Sequence, residues 1–368
     1  MQVRLDTALG ISALAGACLL ALPPAPAAAA TVQPGGAFDL TLTGRIRTKA
    51  FAGDLQAARL DRTVSQGLDF ASDTRIEILA RARHDATGLE YGGNLQINAD
   101  EAGGLVDTDE AWLFVRGGFG EARFGDDTSP SDADQIAGFI VAAGTGGIDG
   151  AIVDGLAVSV TLPTNSGDDS KVMYRSPTWH GLGVNVSYTP NIDGGGDQIA
   201  PVDVEQGDWW EGSLLYEGAL GAADILASVV GGTCDIKASD ADDSCHTVFG
   251  GASIGLHGFR LAGGYGTENI AGAQRDWLNA GLAYGQGPAN VSVTFGMVTD
   301  TDIVVNGNAV GQPRNLVLSA DVTLMPGLAL EGDVGFFDND VTDGAPGGSI
   351  GDTDDSGVQA VARLAAYF

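Results

Sequence analysis

Basic side chains recur at alternate positions early in the chain: Arg45 and Arg47, then Arg75, Arg81 and Arg83, with Arg116 and Arg123 further on. Alternate residues of a strand share one face, so these side chains would form a fixed basic surface. The stretch 127–169 carries the opposite charge, with Asp127, Asp132, Asp134, Asp149 and Asp154 among abundant Gly and Ala. Cys234 and Cys245 bracket residues 235–244. In an oxidising compartment such a nearby pair reads as a disulfide, here a local staple on a long loop. Metal binding through Cys234, Cys245 and His246 is the alternative. No catalytic set emerges: His84, His180, His246 and His257 are the only histidines. The G-x-S-x-G-like window Gly251–Gly255 falls in a strand pattern and lacks the strand-to-helix turn that a nucleophile of that kind requires. The chemistry on offer is electrostatic, with fixed positive and negative surfaces acting on whatever lies between them.

The elements that carry these residues are strands. Alternating apolar and polar positions mark segments near 37–51, 68–84, 88–100, 107–117, 120–126, 170–177, 181–190, 208–218, 221–231, 246–256, 258–267, 275–286, 288–299, 314–325, 327–338 and 356–368. That is sixteen, each of about the ten residues a tilted membrane strand needs. Seven short turns interleave with eight longer connections, near 52–67, 101–106, 127–169, 191–207, 232–245, 268–274, 300–313 and 339–355. Leu156, Val158, Val160 and Leu162 also alternate, but they are assigned to the 127–169 loop. Sorting of connections by length is the pattern of an even-stranded barrel with periplasmic turns and extracellular loops. A soluble sandwich has no reason for it.

The start of the chain agrees. Arg4, the apolar stretch Leu9 to Leu22 and the small residues Ala25 to Ala30 read as a cleaved export signal over 1–30, with the barrel as 31–368. Nothing after it is long and apolar enough to span a membrane as a helix. A formal charge of −30 argues against nucleic acid as a partner. The faces also divide. Phe38, Leu40, Leu42 and Ile46 oppose Asp39, Thr41, Thr43, Arg45 and Arg47, and the next two strands repeat the contrast. The chain closes on Phe368, an aromatic end to its last strand, as expected where aromatic girdles flank a lipid-facing band. The expected fold is an all-β transmembrane antiparallel barrel of about sixteen strands.

Three stretches resemble a known family. Ser170–Gly183, SKVMYRSPTWHGLG, is similar to a Y-x-S-P hairpin of bacterial general porins, especially the alphaproteobacterial type. Glu110–Asp127 is similar to the hairpin that precedes their constriction loop, and Asp85–Asn98 to another hairpin. With Phe368, the resemblance spans the mature chain. It implies a homotrimer of sixteen-stranded barrels whose third long loop, here 127–169, folds inward. It also implies a terminal strand read by the barrel-assembly machinery, with Phe368 as its signal. On that arrangement the loop acids Asp127, Asp132, Asp134, Asp149 and Asp154 face Arg45, Arg47, Arg75, Arg81, Arg83, Arg116 and Arg123 across a narrow pore. Charge so arranged sets a transverse field that tunes selectivity. The alternative is that the arginines pair with Glu77, Glu90 and Glu110 on neighbouring strands, and Arg116 and Arg123 would leave the lumen if Trp112 and Phe114 took the lipid side.

The implied function is passive diffusion of small hydrophilic solutes and ions, with no catalysis and no required cofactor. The net charge leans toward cations. A substrate-selective porin for sugars or organic ions is the near alternative, and a barrel whose surface loops bind a partner the remoter one. The surroundings would be outer-membrane lipid and lipopolysaccharide, and Asp240–Asp243 and Asp352–Asp355 could hold Ca2+ through carboxylate oxygens.

Overall fold

A computed structural model describes residues 30–32, 38–55, 67–101, 105–153, 159–161, 163–192, 206–236, 243–270, 273–299, 304–305, 308–310, 312–338, 341–342 and 356–368. The export-signal reading of 1–30 lies outside these residues except at Ala30, where Ala30–Val32 pairs antiparallel with Leu40–Leu42. Asp154, the acidic run at 240–242 and the run at 352–355 also lie outside them.

Sixteen long strands follow one another. They are β1 (Asp39–Leu55), β2 (Gly67–His84), β3 (Leu89–Glu101), β4 (Leu105–Gly117), β5 (Gly120–Asp126) and β6 (Ser170–Arg175). Then come β7 (Leu182–Asn191), β8 (Gln206–Leu220), β9 (Ala223–Ile236), β10 (Asp243–Leu256) and β11 (Phe259–Ile270). The last are β12 (Ala273–Gln286), β13 (Ala289–Thr299), β14 (Arg314–Met325), β15 (Leu328–Asp338) and β16 (Ser356–Tyr367). Each pairs antiparallel with the next, and β16 pairs with β1 from Arg45↔Tyr367 to Leu55↔Gly357. The ring is closed, so among the described residues its sixteen strands keep no free edge and their backbone groups find partners within the wall, as the apolar phase requires. Among the described residues no helix is long and apolar enough to cross a membrane.

The side-chain alternation runs opposite to that of a water-soluble protein. On β4, Leu113 is 65% exposed while Phe114 is 3% exposed. On β3, Tyr91 and Leu95 point out while Asn94 and Gln96 are buried. Leu42 and Ile46 on β1, Leu316 and Leu318 on β14, and Leu330 and Val334 on β15 are likewise outward. An apolar outer band with a polar interior fits lipid outside, and a barrel of this many strands is too wide for side chains to fill. Trp112, Phe114, Arg116 and Arg123 share the inner side, where the Arg123 guanidinium lies 4.0 Å from the Trp112 ring centre.

Two expectations are corrected. The connections expected at 101–106 and 268–274 are short, because β3 and β4 continue to Glu101 and Leu105, and β11 and β12 to Ile270 and Ala273. Polar residues can extend a ladder beyond the lipid, since pairing does not require an apolar face. For the same reason the cysteines are not on a long loop. Cys234 of β9 and Cys245 of β10 are cross-strand partners joined by a disulfide, with Cα atoms 5.0 Å apart. They are buried against Trp209 inside the mouth of the barrel, so these sulfurs are not metal ligands.

Candidate functional site

The 127–169 loop leaves β5 and lies against the inner wall before returning to β6. Its first turn is a short helix, Pro130–Ala133, capped by the Ser129 hydroxyl, with Pro130 supplying a preset first position. Beyond it, backbone N–H groups take inward-facing acceptors one after another. Ile136 donates to Ser228 Oγ (3.0 Å), Gly138 to Asn279 Oδ1 (2.7 Å) and Ala143 to Ser292 Oγ (2.8 Å). Gly144 donates to Asp321 (3.0 Å), Thr145 to Asp333 (3.2 Å), and Ile148 to Thr294 Oγ1 (3.1 Å). A loop with only short helical turns thus satisfies much of its backbone on the wall of β9 to β15.

An apolar layer lies between loop and wall. Ala137, Ile148, Ile152 and Val160 pack with Val230, Phe249, Trp277, Val298, Val317, Phe337 and Val361, and Phe139 and Val153 join at the margin. Of this layer the alternation in the sequence shows only Val160, within the apolar residues assigned to the loop. The signal was present as Ile136, Phe139, Ile148 and Ile152, whose spacing fits neither period of regular structure.

The acids separate into two groups. Asp127 is buried and bound to Arg123 (3.0 Å). Asp134 is 1% exposed and accepts from Asn185 and Ser213. Both therefore serve the docking. Asp132 and Asp149 keep contact with lumen water. Burial, and then the charges of Asp149, Asp168 and Glu211, push the Asp132 carboxyl up to about 6. Burial pushes Asp149 up to about 6 although Thr161 donates to it (2.6 Å). A third loop acid, Asp168, is also shifted upward, by burial and by Asp109 and Asp127. It stands at the return end of the loop, next to β6.

The wall on the other side of the lumen is formed by β1 to β5, with β16 at the border where the loop's apolar layer ends. Arg45 (3.2 Å) and Arg47 both reach Asp73, and Arg75 reaches Asp109 (2.6 Å) and Asn98 (2.9 Å). Lys49, on the same face as Arg45 and Arg47, is cross-strand from Arg363, which pairs with Glu331. Parity alone could have added Lys49. The remaining arginines sit lower. Arg81 is cross-strand from Asp39, at the start of β1. Arg83 and Arg116 flank the turn ends of β2 and β4, where Arg116 meets Glu90 (2.9 Å) and Glu121 (3.4 Å). Of the expected acidic partners only Glu90 is used by arginine. Glu77 takes Thr43, and Glu110 takes Trp112 and Thr128.

The sequence matches the Gram-negative porin family over residues 13–342. The chain belongs to the Gram-negative porins. No curated protein sequence gives a significant match. Among solved structures, this porin is similar to the outer membrane channel DcaP of Acinetobacter baumannii, at TM-score 0.64 and 14% identity over 91% of this chain and 99% of that one. It is similar to Salmonella typhi OmpF at 0.62 and 12%, over 92% and 100%. The anion-selective porin of Comamonas acidovorans gives 0.60 and 14%, over 90% and 100%. At such identities the likeness concerns the fold. Family and barrel together make the chain an outer-membrane channel for passive diffusion, not an enzyme.

Proposed function

We propose that this porin filters solutes between two charged surfaces of unequal strength. On the loop, Asp132, Asp149 and Asp168 are the acids left to the water, and on the wall stand Arg45, Arg47 and Arg75. The observation that carries the reading is the difference in neutralisation. The wall arginines are already held by Asp73 and Asp109, while the main charged influences on Asp132 are other carboxylates. Net attraction for cations follows at neutral pH, superposed on a transverse field in which polar solutes align. Arg81, Arg83 and Arg116 belong to the periplasmic end of the path, where Arg83 and Arg116 are in addition paired with Glu90, and all three take a smaller part. Asp154 is retained as a candidate by its place in the loop.

Porins are generally trimeric and pass small solutes. For this chain a homotrimer embedded in outer-membrane lipid and lipopolysaccharide is the proposed assembly. It would be delivered by the 1–30 signal and folded by the barrel-assembly machinery through its Phe368 end. The test is a planar bilayer. Purified protein should insert in conductance steps, and its reversal potential in a salt gradient should favour cations. Asp132→Asn with Asp149→Asn should move that potential toward anions. A double variant with the wild-type potential would remove the loop from the filter, and absence of steps would remove the pore.

A further inference from the structure

The two stalks of the 127–169 loop are held together by two buried charged side chains that do not themselves face the water path, although Glu211 adds to the upward shift of Asp132. Lys171, the second residue of β6, is 3% exposed, and Glu211 on β8 is 4% exposed. A buried charge is costly unless its hydrogen-bonding capacity is filled. Here both are filled, and each from both stalks. The Lys171 ammonium has three N–H donors. They go to the carbonyl of Asp127 on the outgoing stalk, and to those of Gly167 (2.8 Å) and Asp169 (2.7 Å) on the returning one. The Glu211 carboxylate accepts from the Ser131 hydroxyl on the outgoing stalk and from the Ser166 hydroxyl on the returning one. The Ser166 N–H adds a longer bond (3.4 Å). Between the two, Ser129 N–H donates to Gly167 O at 3.1 Å.

We infer that Lys171 and Glu211 form a clasp at the neck of the loop, which fixes how the loop enters the lumen and so gives the pore one defined conductance. They are positioning residues, because both are buried and their hydrogen bonds go to the stalks and not to the water path. The geometry separates them from the contacts further along. The wall bonds from Ile136 to Ile148 hold the middle of the loop, whereas the clasp ties its two ends to each other. Without the clasp the outgoing stalk keeps Asp134 on Asn185 and Ser213, and the returning stalk keeps the Thr164 N–H on Glu268 (2.7 Å), but the charged ties between the two stalks are gone and their spacing can vary. The inference rests on the loop being the narrowest part of the path, as proposed above.

The test uses the full chain as folded barrels, checked by heat-modifiable gel mobility. Glu211→Gln keeps the side-chain shape but removes the charge that accepts from both serines. Its single-channel records should lose the single conductance level and spread over several. Ser131→Cys with Ser166→Cys, added to Glu211→Gln, should restore one level when oxidised and lose it again on reduction. Glu211→Gln alone with reductant controls for Cys234–Cys245. One sharp level at the wild-type conductance in Glu211→Gln overturns the inference, as does a neck disulfide that forms without narrowing the spread. These results are distinct from failure of the filter reading. That failure appears as an unshifted reversal potential in the Asp132→Asn, Asp149→Asn variant, whatever the Glu211 variant does.

Discussion

The ring of Phe368 lies on the backbone of Gly44, and the two residues exchange N–H to carbonyl bonds of 2.8 and 3.0 Å. This contact closes the ring of strands at its periplasmic end, one step beyond the Arg45↔Tyr367 pair. A Cβ at position 44 would stand 2.6 Å from Phe368 Cζ, so the glycine makes room for the aromatic ring. Gly44→Val should displace the ring at a cost of about 1–3 kcal/mol, the usual range for overpacking. Urea unfolding of barrels refolded into lipid vesicles would read that loss, and unchanged unfolding would mean the ring is not seated there. Phe368→Ala should slow insertion more than it alters the conductance of barrels that do insert.

Selectivity should depend on pH with a midpoint near 6. Asp132 and Asp149 both stand at about 6 against an ordinary 3.8. Above pH 6 both are ionised and cation preference is full; as pH falls through 6 they take up protons and the preference declines. Stability moves the other way. Between 3.8 and 6 the folded protein binds more protons than the unfolded chain, so these two groups favour the folded state increasingly as pH falls through that window. Reversal potentials from pH 8 to 5 should show the midpoint, and Asp132→Asn with Asp149→Asn should abolish it.

Arg45 and Arg47 share one carboxylate, Asp73. Asp73→Asn leaves both without their anion and should move the permeability ratio toward anions. A unit charge at about 4 Å in water is worth about 1 kcal/mol, which limits the change to roughly fivefold. A ratio unchanged by Asp73→Asn would mean that permeant ions do not pass this wall.

Gly138 meets the backbone of Ala280, where a Cβ would collide. Gly138→Val should lift the loop off β12 and break the bond to Asn279. The displaced loop should become open to protease in otherwise folded barrels and should lower conductance by entering the water path. Protection equal to wild type would show that the wall yields instead.

Reduction of Cys234–Cys245 should cost stability without changing permeation. The bond spans 11 residues of sequence, which gives about 2–3 kcal/mol in the chain-entropy view. A lower unfolding midpoint with an unaltered conductance step is the expected pair of results.

The strands could be read in the sequence because lipid on one side and water on the other impose a strict period of two. Arg45, Arg47 and Arg75 were placed on the inner face for that reason. Height along the barrel is not written in that period, which is why Arg83 and Arg116 looked equivalent to Arg47 yet stand at the turn ends. The loop was legible as a long acidic insertion but not in its parts. Asp134 and Asp149 are identical as letters, and only the neighbouring Asn185 and Ser213 make the first an anchor. Lys171 and Glu211 were invisible as a pair because they belong to different hairpins and meet only through the loop between them.

The dry layer beneath the loop has a consequence for the shape of the bore. With Ile148, Ile152 and Val160 packed onto β9 to β16, the water column runs eccentrically, along one side of the cylinder. A solute in transit slides between a rigid sheet and a tethered strip of chain, so the two sides of its path differ in compliance as well as in charge. Inner-face residues under the strip, such as Phe249 and Val317, govern whether the bore keeps its outline, while those of β1 to β5 govern what travels through it.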